Sequence, residues 1–144
     1  ASPFRKSWRS EMAPVADEMD EAVSELVPPS FDEPVDVVFR GKAVLARVAD
    51  TTVAEWPSRA AFVADVAGAI ALADTDQQWT VREFAERTKL LAGLRLWLDR
   101  CSVCDGHVEL SEGTVETCCR SVNQVAASCT SCGARIFEAE LPIE

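Results

Sequence analysis

The sequence predicts an α+β chain: an N-terminal bundle of about four helices, then a small antiparallel sheet held by a metal. Three observations carry this. Apolar residues in the first two-thirds recur at helical spacing between proline stops. Alternating runs suited to a hairpin follow residue 106. Two C-x-x-C pairs, Cys101-Ser-Val-Cys104 and Cys129-Thr-Ser-Cys132, stand 24 residues apart. The division implied is a helical domain over residues 1–99 and a metal-held domain over 100–144.

Residues 1–10 are polar and locally basic, with Arg5, Lys6 and Arg9 beside Phe4 and Trp8, and read as a partly ordered terminus. Residues 12–27 read as an amphipathic helix. Met12, Val15, Ala16, Met19, Val23 and Leu26 share one face, and Asp17, Glu18, Asp20, Glu21 and Glu25 the other. Pro14 suits its first turn, and Pro28-Pro29 stops it. Asp32-Glu33-Pro34 reads as the next helix start, with Val35, Val38, Phe39, Leu45, Ala49, Val53 and Trp56 on a stripe. Gly41 interrupts that stripe, and Val35 to Phe39 also suits a short strand.

Ser58 caps a third helix, whose Phe62, Val63, Val66, Ala67 and Ile70 recur at helical spacing. Gly68, Ala64, Ala69 and Ala71 let neighbours come close, so this reads as the most buried helix. Thr80-Val-Arg-Glu83 has the form of a capping box opening a fourth helix. Its later part, Leu90 to Leu98, is apolar over a wide arc and wants cover on two sides. It runs straight into Cys101, so the metal-held part should be docked rather than tethered. There, His107–Leu110 and Thr114–Cys118 flank a turn at Ser111-Glu112-Gly113, and Ser121–Ala127 and Arg135–Leu141 read as further strands.

Two such cysteine pairs read as one four-thiolate zinc site. Four thiolates fill a tetrahedral shell and leave no position for substrate, so the Zn2+ would be structural. The pattern resembles the zinc-ribbon family: a C-x-x-C knuckle, a β-hairpin, a second knuckle and a closing strand, over residues 100–144. The resemblance implies a ligand role for Cys101, Cys104, Cys129 and Cys132. Cys118 and Cys119 are adjacent, so on a strand they point to opposite faces and cannot both join one shell. A thiol-redox role is the alternative for that pair. His107 reads as an exposed histidine at a strand start, with a ligand or thiolate-bonding role as the alternative.

Composition bounds the function. The chain carries 24 acidic against 14 basic residues, a net charge of −10. Arg outnumbers Lys, which occurs only at Lys6, Lys42 and Lys89. This balance resembles that of cytoplasmic proteins of salt-loving microbes, where an acidic surface stays hydrated in concentrated salt. Residues 60–73 are apolar but short, and are broken by Asp65, so no membrane span is expected. Thiols without a disulfide framework suit a cytoplasmic location.

Trp79–Thr88 resembles the second helix of winged helix-turn-helix regulators, but Leu90 to Leu98 is too apolar for a recognition helix. The metal-held part has three basic against seven acidic residues. Nucleic-acid binding needs clustered Lys and Arg, so a transcriptional regulator is the second choice. With one His, no Tyr and no Gly-rich phosphate loop, the chain does not read as an enzyme. The leading expectation is a non-enzymatic zinc-binding adaptor, whose metal-held sheet and adjoining helix contact a protein partner.

Overall fold

The computed structural model describes residues 3–27, 33–116 and 121–142. Helices α1 (Pro3–Asp17) and α2 (Met19–Ala22) lead, with a 3-10 turn at Val23–Leu26. Strands β1 (Asp36–Arg40), β2 (Ala43–Val48) and β3 (Thr51–Trp56) follow, then the long helix α3 (Arg59–Thr75). A 3-10 turn at Trp79–Val81 leads to α4 (Phe84–Leu94), which tightens into a 3-10 turn at Arg95–Trp97. Strands β4 (Val108–Glu116), β5 (Ser121–Cys129) and β6 (Arg135–Pro142) end the described chain. The two sheets are separate antiparallel meanders, in the orders β1-β2-β3 and β4-β5-β6.

The expected helical bundle is therefore wrong: a sheet stands where the second helix was placed and splits the helices. β-Branched residues explain it, since Val37, Val38, Val44, Val48, Thr51, Thr52 and Val53 are stiff in a helix and at home in a strand. Gly41, at φ 60°, turns the first hairpin, with Arg40 opposite Ala43. Ala49 and Asp50, at φ 49° and 67°, turn the second, with both loop residues left-handed as a I′-type loop requires. Val44, Ala46 and Trp56 form the buried face, and the Trp56 ring meets Phe62 of α3 edge-on at 4.9 Å.

α3 is the centre of the fold, as its composition implies. Its residues from Ala60 to Ala69 are all buried, on every side. A helix that is apolar all round has neighbours all round. Ser58 caps it, its Oγ accepting from the Ala61 amide at 3.1 Å. α1 crosses it closely, where the Trp8 indole donates to the Ala64 carbonyl at 2.8 Å. A Cβ built on Gly68 would lie 2.8 Å from Leu91 Cδ2 and 3.4 Å from Trp8 Nε1.

Trp8 also corrects the N-terminal reading. Residues 3–11 are helical, and Trp8, Met12 and Val15 make one buried stripe. Pro14 consequently sits in the last turn but one of α1, on the exposed side, where the carbonyl it leaves unpaired can face water. Packing against α3 outweighs that lost bond. Pro28-Pro29 and Asp32 lie outside the described residues. The capping box does not form as expected: α4 starts only at Phe84, and Glu83 is its cap without a side-chain bond.

The wide apolar arc of residues 90–98 is also resolved differently. Leu91 and Leu98 are buried, whereas Leu90, Leu96 and Trp97 are exposed. Arginines take inward places instead. Arg87 donates to the carbonyls of Leu26 and Trp79 at 3.2 and 2.8 Å and stacks over the Trp79 ring. Burial pulls its pKa down, so these bonds are what keep a desolvated guanidinium in place. There is no separate helix at Leu90 to Leu98, only the end of α4 and its 3-10 turn.

Gly68→Val should lower stability by about 1–3 kcal/mol through overpacking at this crossing. In combination with Leu91→Ala the loss should be less than additive, as read by urea denaturation of the two single variants and the double.

Candidate metal centre

The two C-x-x-C segments fold alike. In the first, the Cys101 amide donates to the Gly106 carbonyl at 2.8 Å and the Asp105 amide to the Cys101 carbonyl at 3.1 Å. In the second, the Cys129 amide donates to Ala134 at 2.9 Å and the Gly133 amide to Cys129 at 3.0 Å. The residue after each second cysteine is left-handed, Asp105 at φ 63° and Gly133 at φ 77°. Asp tolerates this conformation better than most residues, and Gly does so freely. The glycine that follows Asp105 has a different purpose: a Cβ on Gly106 would lie 2.7 Å from Ser131 and 2.8 Å from Cys129 Sγ. Gly106 is what lets the two knuckles face each other.

Their thiols converge. The sulfurs of Cys101, Cys104, Cys129 and Cys132 all lie within 4.8 Å of one another. Cys101 and Cys132 are 3.8 Å apart, and Cys104 and Cys129 are 3.4 Å apart. Four sulfurs about 2.3 Å from a common centre sit about 3.8 Å apart at the corners of a tetrahedron, so the donor set fits one metal ion. Cys101 and Cys129 are buried, and Cys104 and Cys132 are exposed. Burial pushes the Cys101 thiol up to about 12. At Cys129 desolvation pushes upward too. The amides of Cys132 and Ser131, each 3.4 Å from its sulfur, and the neighbouring thiols outweigh it and hold that pKa at about 6. Cys129 is thus the thiol most ready to meet a cation as thiolate.

His107 stands apart. Its side chain is exposed and outside the thiol cluster, and only its backbone serves the site, accepting from the Thr130 amide at 2.8 Å. Cys118 and Cys119 lie outside the described residues. The hairpin is also longer than expected. Gly113 pairs with Gln124 inside one continuous strand β4, so the turn expected at Ser111–Gly113 is not there.

The cysteine-bearing sheet is fastened to α3 by polar contacts. Ser102, between the first two cysteines, donates to the Ala60 carbonyl, and the Ser58 cap donates to the Arg135 carbonyl. Arg9 of α1 reaches the carbonyls of Arg100 and Cys101. β6 carries a bulge: Ala127 pairs with Phe137 and Ser128 with Arg135, so Ile136 has no partner on β5. Its side chain is fully buried in the core that includes Phe62, Cys101 and Cys129. Its carbonyl accepts from Arg95 Nη1 at 2.7 Å. Arg95 Nε in turn lies 2.9 Å from Asp65 Oδ1, an ionic contact off the N–H axis, and Asp65 Oδ2 accepts from the Trp56 indole at 2.8 Å. One buried carboxylate on α3 therefore ties together β3, the end of α4 and β6. The sequence reading singled out neither Asp65 nor Arg95 for this.

Residues 1–96 match the family model described as Family of unknown function (DUF8054) central domain, and residues 99–139 match its C-terminal domain. The chain belongs to the DUF8054 family. No curated protein and no solved structure matches it. Neither DUF8054 match is a zinc-ribbon family, so the metal centre rests on the thiol geometry alone. All four clustered cysteines fall within the DUF8054 C-terminal match, while Asp65 and Arg95 fall within the central one. Among the described residues, no helix is long and apolar enough to cross a membrane.

Two outcomes follow from this geometry. Gly106→Ala should weaken metal uptake by at least about tenfold in competition with a chromophoric chelator, whereas Asp105→Gly should leave it unchanged. Burial pushes the Asp65 carboxyl from 3.8 to about 6, against the opposing pull of Arg95 and Trp56. Its contribution to stability is therefore full below about pH 4 and is lost as pH rises through about 6. Asp65→Asn fixes the neutral form, so the native chain's stability relative to that variant should fall from about pH 4 to about pH 7. A difference in urea midpoints that grows with pH would show that the Arg95 charge outweighs desolvation.

Proposed function

We propose that the chain is a non-enzymatic zinc-binding adaptor, in which a tetrathiolate Zn2+ centre holds the β4-β5-β6 sheet against α3 and the adjoining end of α4. The observation that carries this reading is the convergence of four unpaired thiols within 4.8 Å on two matched knuckles. Zinc suits an all-sulfur tetrahedron, and a shell closed by four protein ligands leaves no position for substrate. A reducing, cytoplasmic setting suits thiols kept for a metal.

Support for a protein partner comes from the surface beside the centre. Trp97 is 67% exposed and Leu110 62% exposed, on the elements that flank the knuckles. An exposed tryptophan is a common anchor of protein interfaces, and Leu110 adds apolar surface. The regulator reading has less support, since Arg87 and Arg95, two of the basic residues between 80 and 100, are buried and bonded within the fold.

Purified protein should carry one zinc per chain by elemental analysis, with two titratable thiols remaining from the six cysteines. Metal-free protein with six reactive thiols would sink the proposal. In comparable zinc peptides metal binding supplies about 10–16 kcal/mol that is also folding energy. Cys101 and Cys129 belong to the same core as α3. Cys101→Ser, or a strong chelator, should accordingly loosen the C-terminal sheet and also lower the helical circular dichroism signal, in one transition.

A further inference from the structure

A cleft of about 540 Å3 opens between the two sheets, at the seam between the regions matched by the two family models. Volumes of this order and seams between domains are where small-molecule sites concentrate. Glu55 and Pro57, Arg95, and Arg135, Phe137 and Glu138 of β6 are among the residues that line it.

The charges in and beneath this cleft are arranged unequally. Arg95 is buried, with Nη1 given to the Ile136 carbonyl and Nε beside Asp65. Its Nη2 has no hydrogen-bond acceptor among the described residues, which leaves the N–H donors of that nitrogen for a ligand. A carboxylate meeting such a donor forms a charge-assisted bond in a low-dielectric setting. Arg135 is half-exposed and bonded to Glu138 at 3.0 Å, an i,i+3 surface pair that costs little to rearrange. Glu55 is exposed and makes no ion pair among the described residues. Two carboxylates, Glu55 and Glu138, line the cleft with two guanidiniums, Arg95 and Arg135. A simple anion would leave the carboxylates unmatched. A ligand carrying both an ammonium and a carboxylate would satisfy both signs, and Pro57, Ala92 and Phe137 offer an apolar wall for its side chain.

We infer that this cleft is a binding site for a small amino-acid-like zwitterion with an apolar side chain, its carboxylate held by Arg95 and Arg135 and its ammonium by Glu55. None of the four cysteines lines the cleft.

The test uses the whole, metal-loaded chain with L-phenylalanine and the dipeptide Leu-Phe, alongside phenethylamine and 3-phenylpropanoate, which keep only one charge each. Isothermal titration should detect the zwitterions, with each single-charge analogue at least about tenfold weaker. Amide chemical shifts should move at Glu55, Ala92 and Phe137. Glu55→Gln alters an exposed side chain and Arg135→Gln a half-exposed one, so both should keep the native thermal transition while each weakens binding by about tenfold or more. The inference is overturned if neither zwitterion binds at about 10 mM, if the shifts fall away from the cleft, or if both variants bind as the native chain does.

Discussion

Asp65 is an acid placed in the middle of a helix that is otherwise apolar on every side. An ionised carboxylate cannot be left there alone, because the desolvation cost exceeds what one hydrogen bond returns. The fold answers with Arg95, and Arg95 in turn needs more acceptors than one carboxylate offers. The bulge at Ile136 supplies the next, by freeing a carbonyl that the sheet would otherwise use. Trp56 closes the other carboxylate oxygen. The position of β6, and with it the sheet that carries Cys129 and Cys132, follows from solvating one buried charge. Apolar substitutes of similar volume can pack as stably, but would not fix the register of β6 in this way.

The thiol cluster and this network are two fastenings of the same sheet. One closes the knuckle end by bringing four sulfurs together. The other holds the start of β6, just after the second knuckle, to α3 through Arg95, with Ser58 and Ser102 adding bonds nearby. Cys101, Cys129 and Ile136 share one core with Phe62 and Trp56, so no solvent layer separates the fastenings. The C-terminal sheet therefore belongs to the same packed body as the helices, even though two family models divide the chain.

Much of the site was legible because its chemistry is local. Cysteines at fixed spacing with turn residues after them specify a knuckle without tertiary knowledge, and the burial of α3 could be read from its lack of a polar face. The first sheet was misread because its apolar positions fit a helical stripe by coincidence. Its second loop, Ala49-Asp50, lacks the Asn-Gly or Gly signature that marks a hairpin. The better signal was the density of valine and threonine between residues 37 and 53. Asp65 was legible in principle, since a lone acid in a helix with no exposed face requires a buried cation. Its partner was not, because Arg95 sits among leucines on a segment where an arginine ordinarily marks the solvent side. Only the packing shows that two arginines turn inward while Leu96 and Trp97 turn out.

The side chains that reach β6 have a consequence for how the molecule meets copies of itself. β6 is the outer strand of its sheet, and outer strands offer unpaired carbonyls that can recruit a strand from another molecule. Here the carbonyls of Arg135 and Ile136 are already taken by Ser58 and Arg95. The opposite outer strand, β4, carries Glu109, Glu112 and Glu116. An incoming copy would bring the same acids against them. The start of one border is thus occupied by bonds within the fold and the other carries like charges, and both features disfavour pairing with the strand of another copy.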